Sequence, residues 1–408
     1  MRKLIALAFM LSSTLAFVSC SDDEGEGDTI IVDSGIEVKL TSNITTDATW
    51  SADSIYILAG RITVENGATL TIEPGTIIKG EGGTGANATA LLVARGGKLM
   101  AEGSATAPII FTSLLDEITP EDVAAGNFGS PNLDSDIDGL WGGVIVLGKA
   151  KISASNDNGD LSEVQIEGIP TSDSNGLYGG SDDADNSGVL KYISIRHGGA
   201  NIGSGNEING LSLGGVGSGT VIENIEIVSN QDDGIEWFGG TVNVKNVVVW
   251  NVNDDAIDTD QSWAGTLDNF VIVSPTGHCF ELDGPEGSYE AGHTLKNGTI
   301  VASTFDSDGE VDRGSEDIIN TDANSIVDFE NLYFTGIAEG QMINRVEAAD
   351  GALSFTSIQL DVTATDLASY VNGEVPAGIT AVATATVGAD ASVFAWTWAG
   401  QSGALTGL

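Results

Sequence analysis

One spacing constrains this chain more than anything else in it. Asn224-Ile-Glu-Ile-Val228, Asn246-Val-Val-Val-Trp250 and Asn269-Phe-Val-Ile-Val273 begin 22 and then 23 residues apart. A second short strand keeps step with the first, as Gly234-Ile-Glu-Trp237, Ala256-Ile-Asp-Thr259 and Cys279-Phe-Glu-Leu282. Asn297-Gly-Thr-Ile-Val301 and Asn331-Leu-Tyr-Phe-Thr335 continue the first series after longer loops, and Tyr192-Ile-Ser-Ile-Arg196 with Gly210-Leu-Ser-Leu213 reads as the coil before it. Each repeat holds two or three strands of about four to six residues with period-two alternation, broken by Gly, Asn and Asp. A coil of ~22 residues with three short strands suits a parallel β-helix rung, whereas a propeller blade needs ~40. The 54 glycines suit the tight corners of such a coil. The expected fold is therefore all-β, a single right-handed parallel β-helix.

The N-terminal part carries a compatible pattern of Val/Ile/Leu/Thr strands, from Ile62 through Ile72, Ile77-Ile78 and Ala90–Ala94 to Ile109–Thr112, cut by Asn-Gly and Pro-Gly corners. The solenoid is expected over 35–360, with loop insertions near 114–138 and 156–186; within the first, Pro120 to Ala125 suits one short turn of helix. Residues 361–408 lose the period and include Phe394-Ala395-Trp396-Thr397-Trp398, so they read as a C-terminal cap over the open apolar end.

The first residues read as an address. Arg2-Lys3, an apolar run from Leu4 to Val18, and Ser19-Cys20 give a signal peptide over 1–19. The segment resembles the lipobox of bacterial lipoproteins, which implies lipidation at Cys20; Phe17 stands where that motif usually has Leu. Ser21-Asp22-Asp23-Glu24 resembles the acidic tag that exports Bacteroidota lipoproteins to the cell surface, and 20–34 reads as an acidic, flexible tether. The resemblance implies a membrane partner through the lipid, and a cell outer membrane location facing the medium. With Cys20 lipidated, Cys279 has no disulfide partner. The net charge of −44, from 59 acidic and 15 basic residues, excludes nucleic acid and anionic membrane surfaces as partners and favours cations. The chain reads as a monomer.

Rungs ~4.8 Å apart stack residues one repeat apart. Asp233, Asp255 and His278 then fall in one column, Glu236, Asp258 and Glu281 in another, and Asp260 and Asp283 in a third, with Asp232 and Asp254 beside the first. Like charges so close repel by ~1 kcal/mol or more unless cations, protons or donors intervene. Three readings stand side by side. The carboxylates bond neighbouring backbone at the corners; or Asp232, Asp233, Asp254, Asp255, Asp258 and Asp260 hold Ca²⁺, a hard cation that takes six to eight oxygens; or pairs of them act as acid and base on a glycosidic bond. Trp237 and Trp263, beside Glu236 and Asp258, offer rings for the apolar faces of a sugar; Trp250 reads as a residue of the solenoid interior.

Asn230-Gln231-Asp232, Asp254-Asp255 and Gly277-His278 resemble the polygalacturonase signature. That resemblance implies Asp255 as acid, Asp232 and Asp254 as bases and His278 as an assistant. Cys279 replaces the last glycine of the signature, and no Arg-Ile-Lys follows. For a lyase, Arg196 and His197 are the nearest basic candidates by coil. A longer resemblance runs through Asn206–Thr220, Asp232–Val242 and Asp254–Asp260, which are similar to a family of Bacteroidota β-helix surface lipoproteins. Together these readings give a surface protein that binds extracellular polysaccharide or another cell-surface ligand through an acidic, Ca²⁺-compatible face. The alternatives are a pectinase-like polysaccharide hydrolase or lyase, and a purely structural surface protein.

Overall fold

The computed structural model describes residues 29–32, 35–201 and 208–408. The expected signal peptide, Cys20 and the acidic tag lie outside the described residues. The end of the stretch read as a flexible tether is a strand instead: Thr29–Val32 pairs antiparallel with Gly35–Leu40. Its β-branched Ile30-Ile31-Val32 run suits an extended backbone.

The rest winds as a parallel β-helix with three faces. The first carries Ala48–Trp50, Thr69–Ile72 and Lys98–Glu102; the second carries Ser54–Leu58, Ile77–Gly80 and Ile109–Ser113. From Gly188–Arg196 onward both faces belong to one long bent strand per rung, because this strand pairs with Lys98–Glu102 through its first half and with Ile109–Ser113 through its second. Val221–Val228, Val244–Trp250, Thr266–Val273, His293–Val301, Ile326–Thr335 and Ala352–Leu360 stack on it in order. The third face is a separate parallel sheet that includes Val144–Leu147, Leu211–Gly214, Ile235–Phe238, Ile257–Asp260 and Phe280–Leu282.

The bend between the first two faces explains the asparagine register. Tyr192, Asn224, Asn246, Asn269, Asn297, Asn331 and Ser357 all sit there with φ between 51° and 61°. Asn is the non-glycine residue best suited to that left-handed region. The amides also bond from rung to rung: Asn246 Nδ2 donates to Asn224 Oδ1 at 3.0 Å, and Asn269 Nδ2 to Asn246 Oδ1 at 2.8 Å.

Inside, Ile225, Ile227, Val247, Val249, Phe270 and Ile272 join residues from all three faces in one continuous core. The outer side of the second face is apolar as well. Val228, Val248, Trp250, Val271 and Val273 point outward and are buried beneath Phe394, Trp398 and Ala399. This corrects the expectation of an interior Trp250, because alternation cannot tell in from out on a strand that is covered on both sides.

The segment 361–408 is accordingly more than a cap. Val362, Leu367, Tyr370 and Val375 pack on the end of the core, and Ile379–Ala381 adds a last strand. The chain then doubles back along the second face as a strap. Asp390 N donates to Asn269 Oδ1 at 2.7 Å, and at the far end Phe128 N donates to Gln401 Oε1 at 3.0 Å. Of the two insertions, the first contains the helix Pro120–Ala124, capped by Thr119. The second folds into two short hairpins whose Ile166, Ile169 and Tyr178 cover Ile145, Leu147 and Phe238 on the third face.

Candidate functional site

Beyond that cover, the outer side of the third face is lined with acids. Register places Ser212, Glu236, Asp258, Glu281 and Asn320 in one column. The turn before each strand supplies a second column. Asp255 N donates to Asp233 Oδ1 at 2.9 Å, and His278 Nδ1 lies 3.0 Å from Asp255 Oδ1. Asp260 follows on the same strand as Asp258, and Asp283 N donates to Thr259 O at 2.8 Å in the next rung. The columns expected from the repeat therefore exist, and Asp232, Asp254, Asp255 and His278 come from adjacent turns of the coil. Asp233, Glu236 and Asp255 are buried.

Three groups can each bring one ligand atom from every member within 4.8 Å of the others: Asp232 with Asp233 and Asp254, Asp233 with Glu236 and Asp258, and Asp255 with His278 and Glu281. Burial, then the neighbouring Asp258, holds Asp233 well above the usual carboxylate range; burial and Asp233 do the same to Glu236, and burial and Glu236 to Asp258. Burial and Asp283 push Asp260 up to about 7. A hydrogen bond shared with Asp255, then burial, pushes Glu281 up to about 9. Burial and Asp322 push Asp283 up to about 6. Asp255 is the exception: burial raises it, but hydrogen bonds from His278 and Glu281 outweigh burial and leave it low. His278 is raised in turn, since its bond to Asp255 and that carboxylate's charge outweigh burial. Among the described residues this His–Asp contact is the one salt bridge made to the ladder.

Asn209 occupies the rung before Asp233, a position that sequence reasoning passed over. It is buried; its Nδ2 donates to Glu236, yet its Oδ1 has no hydrogen-bond partner. The carboxylates crowded beyond it form an arrangement that a hard cation satisfies. The donor set, convergent carboxylate oxygens, fits Ca²⁺. The only sequence signal for Asn209 is its place 24 residues before Asp233, one long rung away.

Two expectations need correcting. Trp237 and Trp263 present no ring to a sugar: both are buried, stacked at 4.6 Å with an interplanar angle of 23°, and Trp263 Nε1 donates to Val242 O at 3.0 Å. Trp237 alternates with the outward Glu236 and so faces the core. Arg196 and His197 are equally unavailable as a base. They lie on the second face, buried under the strap, with the Arg196 guanidinium 5.0 Å from the Trp398 ring. Arg196 Nε donates to Ser194 Oγ at 2.8 Å, and Ser194 Oγ to Glu226 Oε2 at 2.6 Å.

Chemically, the ladder can bind cations, exchange protons near neutral pH and accept hydrogen bonds. No curated protein and no solved structure matches the chain. Residues 42–402, which take in every rung of the acidic ladder, match the pectate-lyase-like β-helix domain, and the chain belongs to that family.

Proposed function

We propose that the protein is a Bacteroidota-type outer-membrane surface lipoprotein that holds Ca²⁺ on its third face and binds extracellular polysaccharide or another cell-surface ligand there, without cleaving it. The observation that carries this reading is the convergence of Asp233, Glu236 and Asp258, whose ligand oxygens come within 4.8 Å of one another and whose carboxyls are all held well above the usual range. Asp233, Glu236 and Asp258 are the inner ligands, with Asn209 Nδ2 bonded to Glu236 behind them. Asp232, Asp254 and Asp260 extend the acidic surface toward solvent, with Asp255 buried beside them. A glycan hydroxyl or carboxylate would complete the six to eight oxygens that Ca²⁺ takes. Calorimetry of the metal-stripped protein with Ca²⁺, followed by glycan arrays with and without the metal, tests the reading. Metal uptake together with metal-dependent glycan binding is expected; absence of both overturns it. The address is tested separately: palmitate labelling lost in Cys20→Ser, and surface proteolysis of intact cells.

A second reading has its own observation. Asp232, Asp254, Asp255 and His278 do assemble on neighbouring turns, in a pectate-lyase-like fold. Reducing-sugar and unsaturated-product assays on uronate and neutral glycans discriminate: turnover that disappears in Asp255→Asn would make the protein a polysaccharide-degrading enzyme.

A further inference from the structure

A groove of about 820 Å³ lies away from the ladder, at the corner where the second face turns toward the third. Trp250 and Val273, paired across successive rungs, lie on its floor, so the groove crosses strands rather than following one. One wall is the insertion at Asp134–Asp136; the other is the hairpin of Ser303–Phe305 with Val311–Gly314. Both walls are pinned. Asn251 Nδ2 donates to Ser135 O at 2.9 Å, and Arg313 donates from Nε to Ser274 O at 2.8 Å and from Nη2 to Asn253 Oδ1 at 2.6 Å. Nε and Nη2 of the guanidinium are thus committed to the scaffold.

What remains for a ligand is acceptor-rich and partly apolar. Asp134, Asp136 and Asp312 are exposed around the groove, and Thr276 Oγ1, which donates to Asn253 O at 2.7 Å, adds a further acceptor. Trp250, buried against Trp398 with ring centroids 5.8 Å apart, gives the groove floor no more than a ring edge. Val311 lines the groove, and it and Phe305 on the same hairpin are large apolar side chains left 49% and 46% exposed. Apolar surface beside oxygen acceptors matches a sugar, whose C–H faces seek the first and whose hydroxyls donate to the second. Three carboxylates against one guanidinium around the groove repel uronate, sulfate and phosphate groups.

We propose that this groove binds a neutral oligosaccharide without a metal. The proposal rests on the glycan-binding reading above but assigns neutral sugar to a different corner of the molecule. The test is calorimetry of the full chain in EDTA against maltohexaose, cellohexaose, xylohexaose and mannohexaose. It is repeated with the surface variant Asp136→Ala/Asp312→Ala and with the ladder variant Glu236→Gln/Asp258→Asn. Binding of at least one sugar is expected, weakened about tenfold in the groove variant, as for the loss of ~1–2 kcal/mol of hydrogen bonding, and unchanged in the ladder variant. No binding to any of the four, or binding indifferent to the groove variant, overturns the proposal. Ca²⁺-dependent binding of polygalacturonate together with no binding of any neutral sugar would leave the ladder reading standing while the groove reading falls.

Discussion

Asp260, at about 7, and Glu281, at about 9, set how this protein answers to pH when stripped of metal. Both folded values lie above the unfolded ones, so the folded chain holds the extra protons. Their contribution to stability is complete below pH ~4 and is lost as pH rises through 7 and then 9. Asp255, shifted down, works the other way, but only below its unfolded value near ~4. In EDTA the protein is therefore expected to melt at a lower temperature at pH 8 than at pH 5, and saturating Ca²⁺ should narrow the gap by replacing protons. Equal melting temperatures in EDTA would show that the ladder is neutralised some other way. The bend residues make a different prediction. Asn246 has φ 57° and two amide bonds in its column. Asn246→Ala is expected to cost about 2–3 kcal/mol and Asn246→Gly about 1–2, since only alanine also pays the left-handed penalty; urea titrations giving equal losses would refute the backbone part. This column was legible in the sequence because one residue type answers two demands, a left-handed backbone and a ladder bond. Trp263 was not legible. Gln261 and Ser262 before it take φ 54° and 59°, which resets the alternation, and these polar flanks are themselves buried.

Among the elements, the strap carries the clearest energetic consequence. Trp398 packs on Trp250, lies 5.6 Å from the His197 ring in an edge-on arrangement and covers the Arg196 guanidinium, while Ala399 N donates to Glu226 Oε1 at 2.9 Å. Trp398→Ala is expected to destabilise the protein by about 3–5 kcal/mol in chemical denaturation, with Trp398→Phe recovering much of that. A loss below ~1 kcal/mol would mean that the strap is not seated as described. The sequence marked residues 361–408 as aperiodic and aromatic, which is true of a cap and of a strap alike. What separates the two is the outer side of the second face, and Val228, Val248 and Val271 alternate with inward residues just as apolar.

For the whole molecule, the charge of −44 means that any cation stabilises to some degree by screening. Specific binding is distinguishable by size and by site. Ca²⁺ at a hundredfold excess over its Kd should add about 2.7 kcal/mol, beyond what NaCl gives at equal ionic strength. The variant Asp233→Asn/Glu236→Gln/Asp258→Asn should lose that increment while being more stable than the parent without metal. Equal responses to Ca²⁺ and to matched NaCl would reduce the ladder to a screened surface. The strap also changes what kind of object this solenoid is. Stacked rungs that touch only their neighbours behave as a one-dimensional chain, free to fray from either tip. Here residues from beyond the last strand reach back to Phe128, which packs with Ile55 and Ile77 of the early rungs. The two tips are thereby fastened in a closed circuit, so loosening either one strains the other, and the whole length should come apart as a single cooperative unit.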